Sequence, residues 1–267
     1  MKEYFVVTDT HSFYDEMITA LKKKGFNENN PEHILIHCGD LLDRGPKSKA
    51  IVDFCYELLK QKRFIFVLGN HEELFQDMIH RGEYWDHDIH NGTVKSLGQL
   101  QEVPLNVYET MMDFDSCCLN YDKKFDVLIT SAVDYYETPK HIFVHGWIPV
   151  IEKERGKYLY DPNWRNASKA EWIEARWTNG INAAKQGVIE PDKKIVCGHW
   201  HCSYGWVRDM LKKETDKTKK EQIAKLEYSG ENLKIFKPYK CKGAIAIDAC
   251  TALTGFCNCL HYTEEEI

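Results

Sequence analysis

Three times within its first 72 residues the chain runs from an apolar stretch of strand length into a polar turn and then into a helical pattern. The apolar stretches are Tyr4-Phe5-Val6-Val7, Ile34-Leu35-Ile36 and Phe64-Ile65-Phe66-Val67-Leu68. The turns are Asp9-Thr10-His11, Gly39-Asp40-Leu41-Leu42-Asp43-Arg44-Gly45 and Gly69-Asn70-His71-Glu72. Strands separated by helices pair in parallel, because a parallel connection needs a crossover long enough to return to the same edge. The three turns are therefore expected together at the carboxyl edge of one sheet, where α/β proteins build their sites. Asp, His, Asn and Arg gathered there would be costly as core residues, since each buried charge needs a partner. A pair of divalent cations would use them.

The remaining pattern extends this plan. Helices are expected over residues 14–24, with Ser12 as cap and Gly25 as stop, after Pro46 with a stripe of Ile51, Phe54, Cys55, Leu58 and Leu59, and over 72–81. Residues 82–139 are less regular, with helical patterns at 93–101 and 125–135, the second offering Val127, Leu128, Ala132 and Val133 to a core. His141-Ile142-Phe143-Val144 and Lys194-Ile195-Val196-Cys197 read as strands ending in His145 and in Gly198-His199-Trp200-His201. Between them Ser168 and Glu171 form a capping box that opens a helix to about residue 186. Residues 244–247 and 256–262 read as strands closing a second sheet layer.

Composition narrows the classes. At 267 residues and 43 % hydrophobic content, one domain over 1–267 is expected, with a surface insertion at about 208–232 around a lysine-rich run. A net charge of −6 argues against a nucleic-acid partner. Ten cysteines in a chain this long, without a secretory signal, point to reduced thiols and a cytoplasmic location. No apolar stretch approaches the ~20 residues of a membrane span.

Carboxylates with imidazoles and no thiolate cluster suit manganese, iron or zinc rather than a structural zinc site. A centrally placed Asp40 could bridge two cations. Two metals about 3.5–4 Å apart can share and acidify a water and clamp phosphoryl oxygens. His71, next to the candidate ligand Asn70, is a natural proton donor, Asp43 could orient its ring, and Arg44 offers a planar fork for phosphate oxygens.

At these residues the sequence resembles the calcineurin-like metallophosphoesterases, and among them the phosphoprotein phosphatases. That family's pattern is Asp-x-His, Gly-Asp-x-x-Asp-Arg-Gly, Gly-Asn-His-Glu and two later single histidines, here His145 and His199. The resemblance implies an α/β fold with a central β-sandwich of mixed sheets flanked by helices. It also implies two divalent metal ions, manganese first, with iron or zinc as alternatives. Asp9, His11 and Asp40 would hold one ion and Asp40, Asn70, His145 and His199 the other. His71 would be the general acid, paired with Asp43, and Arg44 would contact phosphate. A second phosphate-binding Arg is expected between the last two histidines, with Arg176 ahead of Arg165. Gly198-His199-Trp200-His201 is closer to the Gly-His-x-His of the broader superfamily, in which the second His, here His201, joins the first metal. Ile247-Asp248-Ala249-Cys250-Thr251 resembles the Ile-Asp-Thr-Gly of bacterial and phage members.

The function implied is hydrolysis of phosphomonoesters by a metal-bridging hydroxide, with a phosphorylated protein or a small phosphoester as partner. A serine/threonine phosphatase is the first expectation; a bis(5'-nucleosyl) polyphosphate hydrolase or a nucleotide phosphodiesterase on the same site is the alternative. A non-catalytic module would be expected to have lost ligands, and this chain retains them. Three other features take plainer readings: His87 and His90 as an exposed polar turn, Cys257 and Cys259 (and likewise Cys197 and Cys202) as apolar packing, and the lysine run as a solvated face.

Overall fold

Tyr4 and Val6 face one core while Phe5 and Val7 face another, and this alternation recurs in every central strand of the computed structural model, which describes residues 1–267. In chain order the first part is β1 (Glu3–Val7), α1 (Tyr14–Lys23), β2 (His33–Cys38), α2 (Ser48–Lys60), β3 (Phe64–Val67) and α3 (Asn70–Arg81). Five short helices follow: α4 (Asp86–Asn91), α5 (Thr93–Gln99), α6 (Val107–Met112), α7 (Phe114–Asn120) and α8 (Lys124–Ser131). Next come β4 (Tyr136–Glu137), β5 (His141–Phe143), the hairpin β6 (Val150–Glu154) and β7 (Lys157–Tyr160), α9 (Lys169–Trp177), α10 (Gly180–Lys185) and β8 (Lys194–Cys197). The chain closes with α11 (Cys202–Lys213), α12 (Lys217–Ser229), β9 (Tyr239–Cys241), β10 (Ala244–Ala246), α13 (Thr251–Thr254) and β11 (Leu260–Thr263).

Two mixed sheets result. The first has the order β11-β1-β2-β3, its three N-terminal strands parallel and β11 antiparallel to β1. The second has the order β4-β5-β8-β10-β9, with β5, β8 and β10 parallel between two antiparallel edges. Period-two alternation lets each strand serve two cores. Val6, Ile36, Val67, Phe143, Val196 and Ile245 fill the layer between the sheets. Phe5, Leu35 and Phe66 pack outward under α1, α2 and the short helices, whereas Ile142, Ile195 and Ala244 pack outward under Trp147, Trp172 and Ile181. Because β1, β2, β3, β5 and β8 all run the same way within their sheets, their carboxyl ends put the five predicted loops at one rim.

Several local expectations are corrected. Ser12 does not cap α1; it adopts a left-handed conformation and its hydroxyl pairs with Ser48 at 2.8 Å. α8 buries Phe125, Leu128 and Ile129, while Val127 and Val133 are exposed, because residue 133 has left the helix to pair with β3. The helix opened by Ser168 is two helices, since Asn179 interrupts it and caps α10 through Asn182. β11 joins the first sheet rather than the second. The lysine-rich run forms α12, which packs on α11 over a small apolar cluster around Val207, Ile235 and Phe236. All ten cysteines are free thiols, with Cys257 and Cys259 in one apolar core and Cys197 and Cys202 in another. No helix is long and apolar enough to cross a membrane.

Candidate active site

Nine non-glycine residues have positive φ, and eight of them (Asp9, His11, Ser12, Asp40, Asp43, Arg44, His199 and Cys250) lie in the loops at the strand ends. Asp and His tolerate this region better than most side chains, but Arg44 and Cys250 do not, so the loops hold backbone strain that the surrounding contacts must offset. Glu72 is the main fastener. Its carboxylate accepts the backbone N–H groups of Gly69, Asp40 and Leu41 at 2.8–2.9 Å, tying the second loop to the third. Gly39 and Gly69 let these loops touch: a Cβ on Gly39 would lie 2.6 Å from the Gly69 backbone.

Asp40 sits at the centre. Its Oδ1 accepts the His71 N–H at 3.0 Å and lies 3.3 Å from His145 Nε2, and its Oδ2 lies 3.7 Å from His11 Nε2 and 3.8 Å from His71 Nε2. The two oxygens of one carboxylate thus face two donor groups, His11 with His71 and His145 with His199. Asn70 Oδ1 lies 2.9 Å from His145 Nε2. The outer ring nitrogens are occupied: His11 Nδ1 donates to the Leu42 carbonyl at 2.9 Å and His145 Nδ1 to that of Cys38 at 2.8 Å, which leaves each Nε2 facing inward. Asp9 is held by the Thr8 hydroxyl at 2.6 Å and by the backbone N–H of His199 at 3.0 Å.

The electrostatics separate two kinds of histidine. Burial lowers the pKa of His11 and His145, and that of His199 to about 3, keeping their lone pairs available as donors. His71 is also penalised by burial, but the Asp40 and Asp43 carboxylates outweigh this and raise its pKa. Its Nδ1 lies 2.6 Å from Asp43 Oδ2, which also accepts the Thr93 hydroxyl at 2.9 Å. Arg44 reaches His11 Nε2 at 2.7 Å and His71 Nε2 at 3.2 Å through its two terminal nitrogens.

Burial works against the Asp40 carboxylate, but the surrounding histidines outweigh it and hold its pKa below the carboxylate range. Around Asp9 and Asp248 opposite charge is short. Asp9 is pushed well above the carboxylate range by burial and then by the neighbouring Asp248 and Asp40. Burial also raises Asp248. Three buried carboxylates around a cluster of neutral imidazoles form an arrangement completed by divalent cations, and the oxygen and nitrogen donors without thiolate match that chemistry.

The structure brings Asp9, His11, Asp40, Arg44, Asn70, His71, His199 and His201 to one cavity wall, with Asp43 and His145 packed directly behind. His201 is half-buried at the rim, edge-on to Tyr228, and stands outside the two donor groups. Neither expected second arginine lines the cavity. Arg176 is buried and ion-paired with Glu73 and Asp134, and Arg165 is paired with Glu137 and Glu190 at 2.6–2.8 Å. Each guanidinium is engaged by two carboxylates. His87 and His90 belong to α4, outside the cavity, although their neighbour Asn91 lines it. Asp248 and Thr251 also line the cavity; they lie in the Ile247–Thr251 stretch, whose sequence pattern assigns them no role, and Trp177 has no local signal.

A family model of the calcineurin-like phosphoesterases matches residues 4–203. The chain belongs to that family. Its members depend on a dinuclear metal centre, which the donor set of this calcineurin-like phosphoesterase fits. It is 36 % identical over 74 residues to the asymmetrical bis(5'-nucleosyl)-tetraphosphatase PrpE of Bacillus velezensis, covering 26 % of this chain and 30 % of that one. It is 39 % identical over 72 residues to the symmetrical bis(5'-nucleosyl)-tetraphosphatase of Buchnera aphidicola subsp. Schizaphis graminum, covering 27 % and 24 %. The chain therefore spans under a third of the length of these curated relatives. A cold-active protein-tyrosine phosphatase of a psychrophilic Shewanella superposes with a TM-score of 0.50 at 14 % identity, covering 99 % of this chain and 76 % of that one, a likeness of fold.

Proposed function

We propose that the chain hydrolyses phosphoric esters at this cavity, with Asp9, His11 and Asp40 holding one divalent cation and Asp40, Asn70, His145 and His199 holding the other. His201 extends the first set from the rim. The observation that carries the reading is Asp40, whose Oδ2 faces His11 and whose Oδ1 faces His145 at one cavity that Asp9, Asn70 and His199 also line, while His71 is held by Asp43. Once bound, the cations supply Lewis acidity toward phosphoryl oxygens and a water of lowered pKa. Arg44 presents a planar fork to the non-bridging oxygens. The Asp43 contact at His71 Nδ1 turns Nε2 to the cavity, where Arg44 donates to that atom at 3.2 Å. With Arg44 turned onto a phosphoryl oxygen, Nε2 is free to carry the proton delivered to the leaving oxygen.

An acid in this position favours phosphomonoesters, whose alkoxide leaving groups need protonation, and supports phosphoserine and phosphothreonine as substrates. The names of the two curated relatives support a second reading, bis(5'-nucleosyl) polyphosphates. Carboxylate, amide and imidazole donors support manganese. Ten free thiols support a reducing cytoplasm, and the core shared by both sheets supports a single domain over 1–267. The test is turnover, with added manganese, of p-nitrophenyl phosphate, a phosphoserine peptide and diadenosine tetraphosphate. Hydrolysis abolished by chelator and restored by metal is expected; inertness toward all three would sink the reading.

A further inference from the structure

Trp177, the last residue of α9, lines the metal-facing cavity and also a neighbouring groove of about 350 Å³. It is 49 % exposed. Its ring meets His199 edge-on with centroids 5.7 Å apart, and its backbone carbonyl sits beside the His199 ring. The preceding Arg176 is buried between Glu73 of α3 and Asp134, and the Ala175 carbonyl accepts the backbone N–H of Trp147 at 3.0 Å. The indole is thus presented by a fixed backbone at the seam between the phosphoryl cavity and the groove.

The groove is lined by the side chains of Val150, Tyr158 and Ile173 and by the carboxylates of Glu152, Glu171 and Glu174. None of the three has a lysine or arginine within 4 Å; Glu152 accepts the Gly156 N–H at 2.6 Å and Glu171 accepts from Ser168, while Glu174 makes no side-chain hydrogen bond. Carboxylates without a cationic partner repel phosphate but accept hydrogen bonds from hydroxyl and amino groups. The groove has the size of a small-ligand site, and an exposed indole at its entrance is a stacking surface for a flat ring.

We infer that this groove is a nucleoside subsite, in which Trp177 stacks on the base of a substrate whose phosphates remain in the metal-facing cavity. The inference rests on the phosphoester reading of that cavity and selects nucleotide-derived esters and anhydrides among its substrates. An uncharged base and ribose match both the apolar side chains of the groove and its carboxylate acceptors. A polyphosphate running along the groove would pass three carboxylates, so the charged part of the substrate stays with Arg44 and the cations.

The test uses the manganese-loaded full chain and two variants, Trp177→Ala and Ile173→Asp, the second altering the groove without touching the cavity. Binding of AMP is measured by calorimetry, and KM and kcat are measured for diadenosine tetraphosphate and for a lysine-flanked phosphoserine peptide. Loss of one stacking contact is expected to weaken AMP binding and raise KM for the dinucleotide about tenfold in both variants, with a smaller effect on kcat. The peptide KM should change much less. An unchanged AMP affinity, or a KM increase confined to the peptide, would overturn the nucleoside assignment. Failure of the wild-type chain to turn over any ester would count against the phosphoester reading alone, because the change in AMP affinity on Ile173→Asp, a residue of the groove and not of the cavity, still reads the groove.

Discussion

Asp43 Oδ2 lies 2.6 Å from His71 Nδ1, and both side chains are buried. The contact does two things at once. It fixes which ring nitrogen faces the cavity, and with the Asp40 charge it raises the pKa of a histidine that burial alone would lower. Neighbouring histidines without such a partner are pushed the other way, so one loop cluster separates proton donors from electron-pair donors.

Removing that carboxylate should move a pH limb. His71 acts protonated, so activity on an alkyl phosphate should fall as pH rises through its raised pKa. Asp43→Asn removes part of what raises it, and the alkaline limb of kcat should shift to lower pH, with kcat lowered about tenfold or more. For an ester with a good leaving group the shift should nearly vanish. A pH–kcat profile unmoved by the substitution would show that His71 is not the acid.

Gly69→Ala is expected to damage stability and activity together. A Cβ at this position would lie 2.3 Å from Asp40 Oδ1 and 2.7 Å from Glu72 Oε2, displacing the central carboxylate and the loop fastener. Overpacking of this kind costs about 1–3 kcal/mol. Chemical denaturation and metal content would report it, and wild-type values for both would contradict the close approach.

Arg176→Met separates two roles for that arginine. As a buried partner of Glu73 and Asp134, its loss should leave two carboxylates facing each other and cost about 1–3 kcal/mol, discounted because both are partly exposed. The thermal midpoint should therefore fall. A phosphate-binding role predicts the reverse pattern, a raised KM with an unchanged midpoint.

The stabilisation that the metals add should grow with rising pH. Burial and then Asp40 push Glu72 from 4.5 up to about 7, and Asp9 is likewise raised well above its ordinary value. Each folded-state pKa exceeds the unfolded one, so these two groups lose stabilising effect as pH climbs from about 4 toward neutrality. His11, His145 and His199, lowered by burial, run the opposite way. A cation that favours the ionised carboxylates relieves their loss. Calorimetry with and without chelator should show the metals stabilising more at pH 8 than at pH 5. An equal increment at both would mean that these carboxylates are not relieved by cation binding.

The sequence alone determined the parts of this protein that repeat locally. Strands of alternating pattern, each closed by a short polar turn and followed by a helix, leave few topologies, so Asp9, Asp40, Asn70, His145 and His199 were legible as one group before any coordinates. The carboxyl ends of parallel strands converge whatever the details of packing. Tertiary structure decided what depends on distance through space. Nothing local in residues 165 or 176 says which carboxylate each arginine will meet, and both pair away from the cavity. Glu72 becomes a fastener only because three backbone N–H groups from two loops converge on it. Asp248 and Trp177 reach the same rim from different elements, and their placement comes from the packing of α9, β10 and α13 around the sheets rather than from any periodicity in the chain.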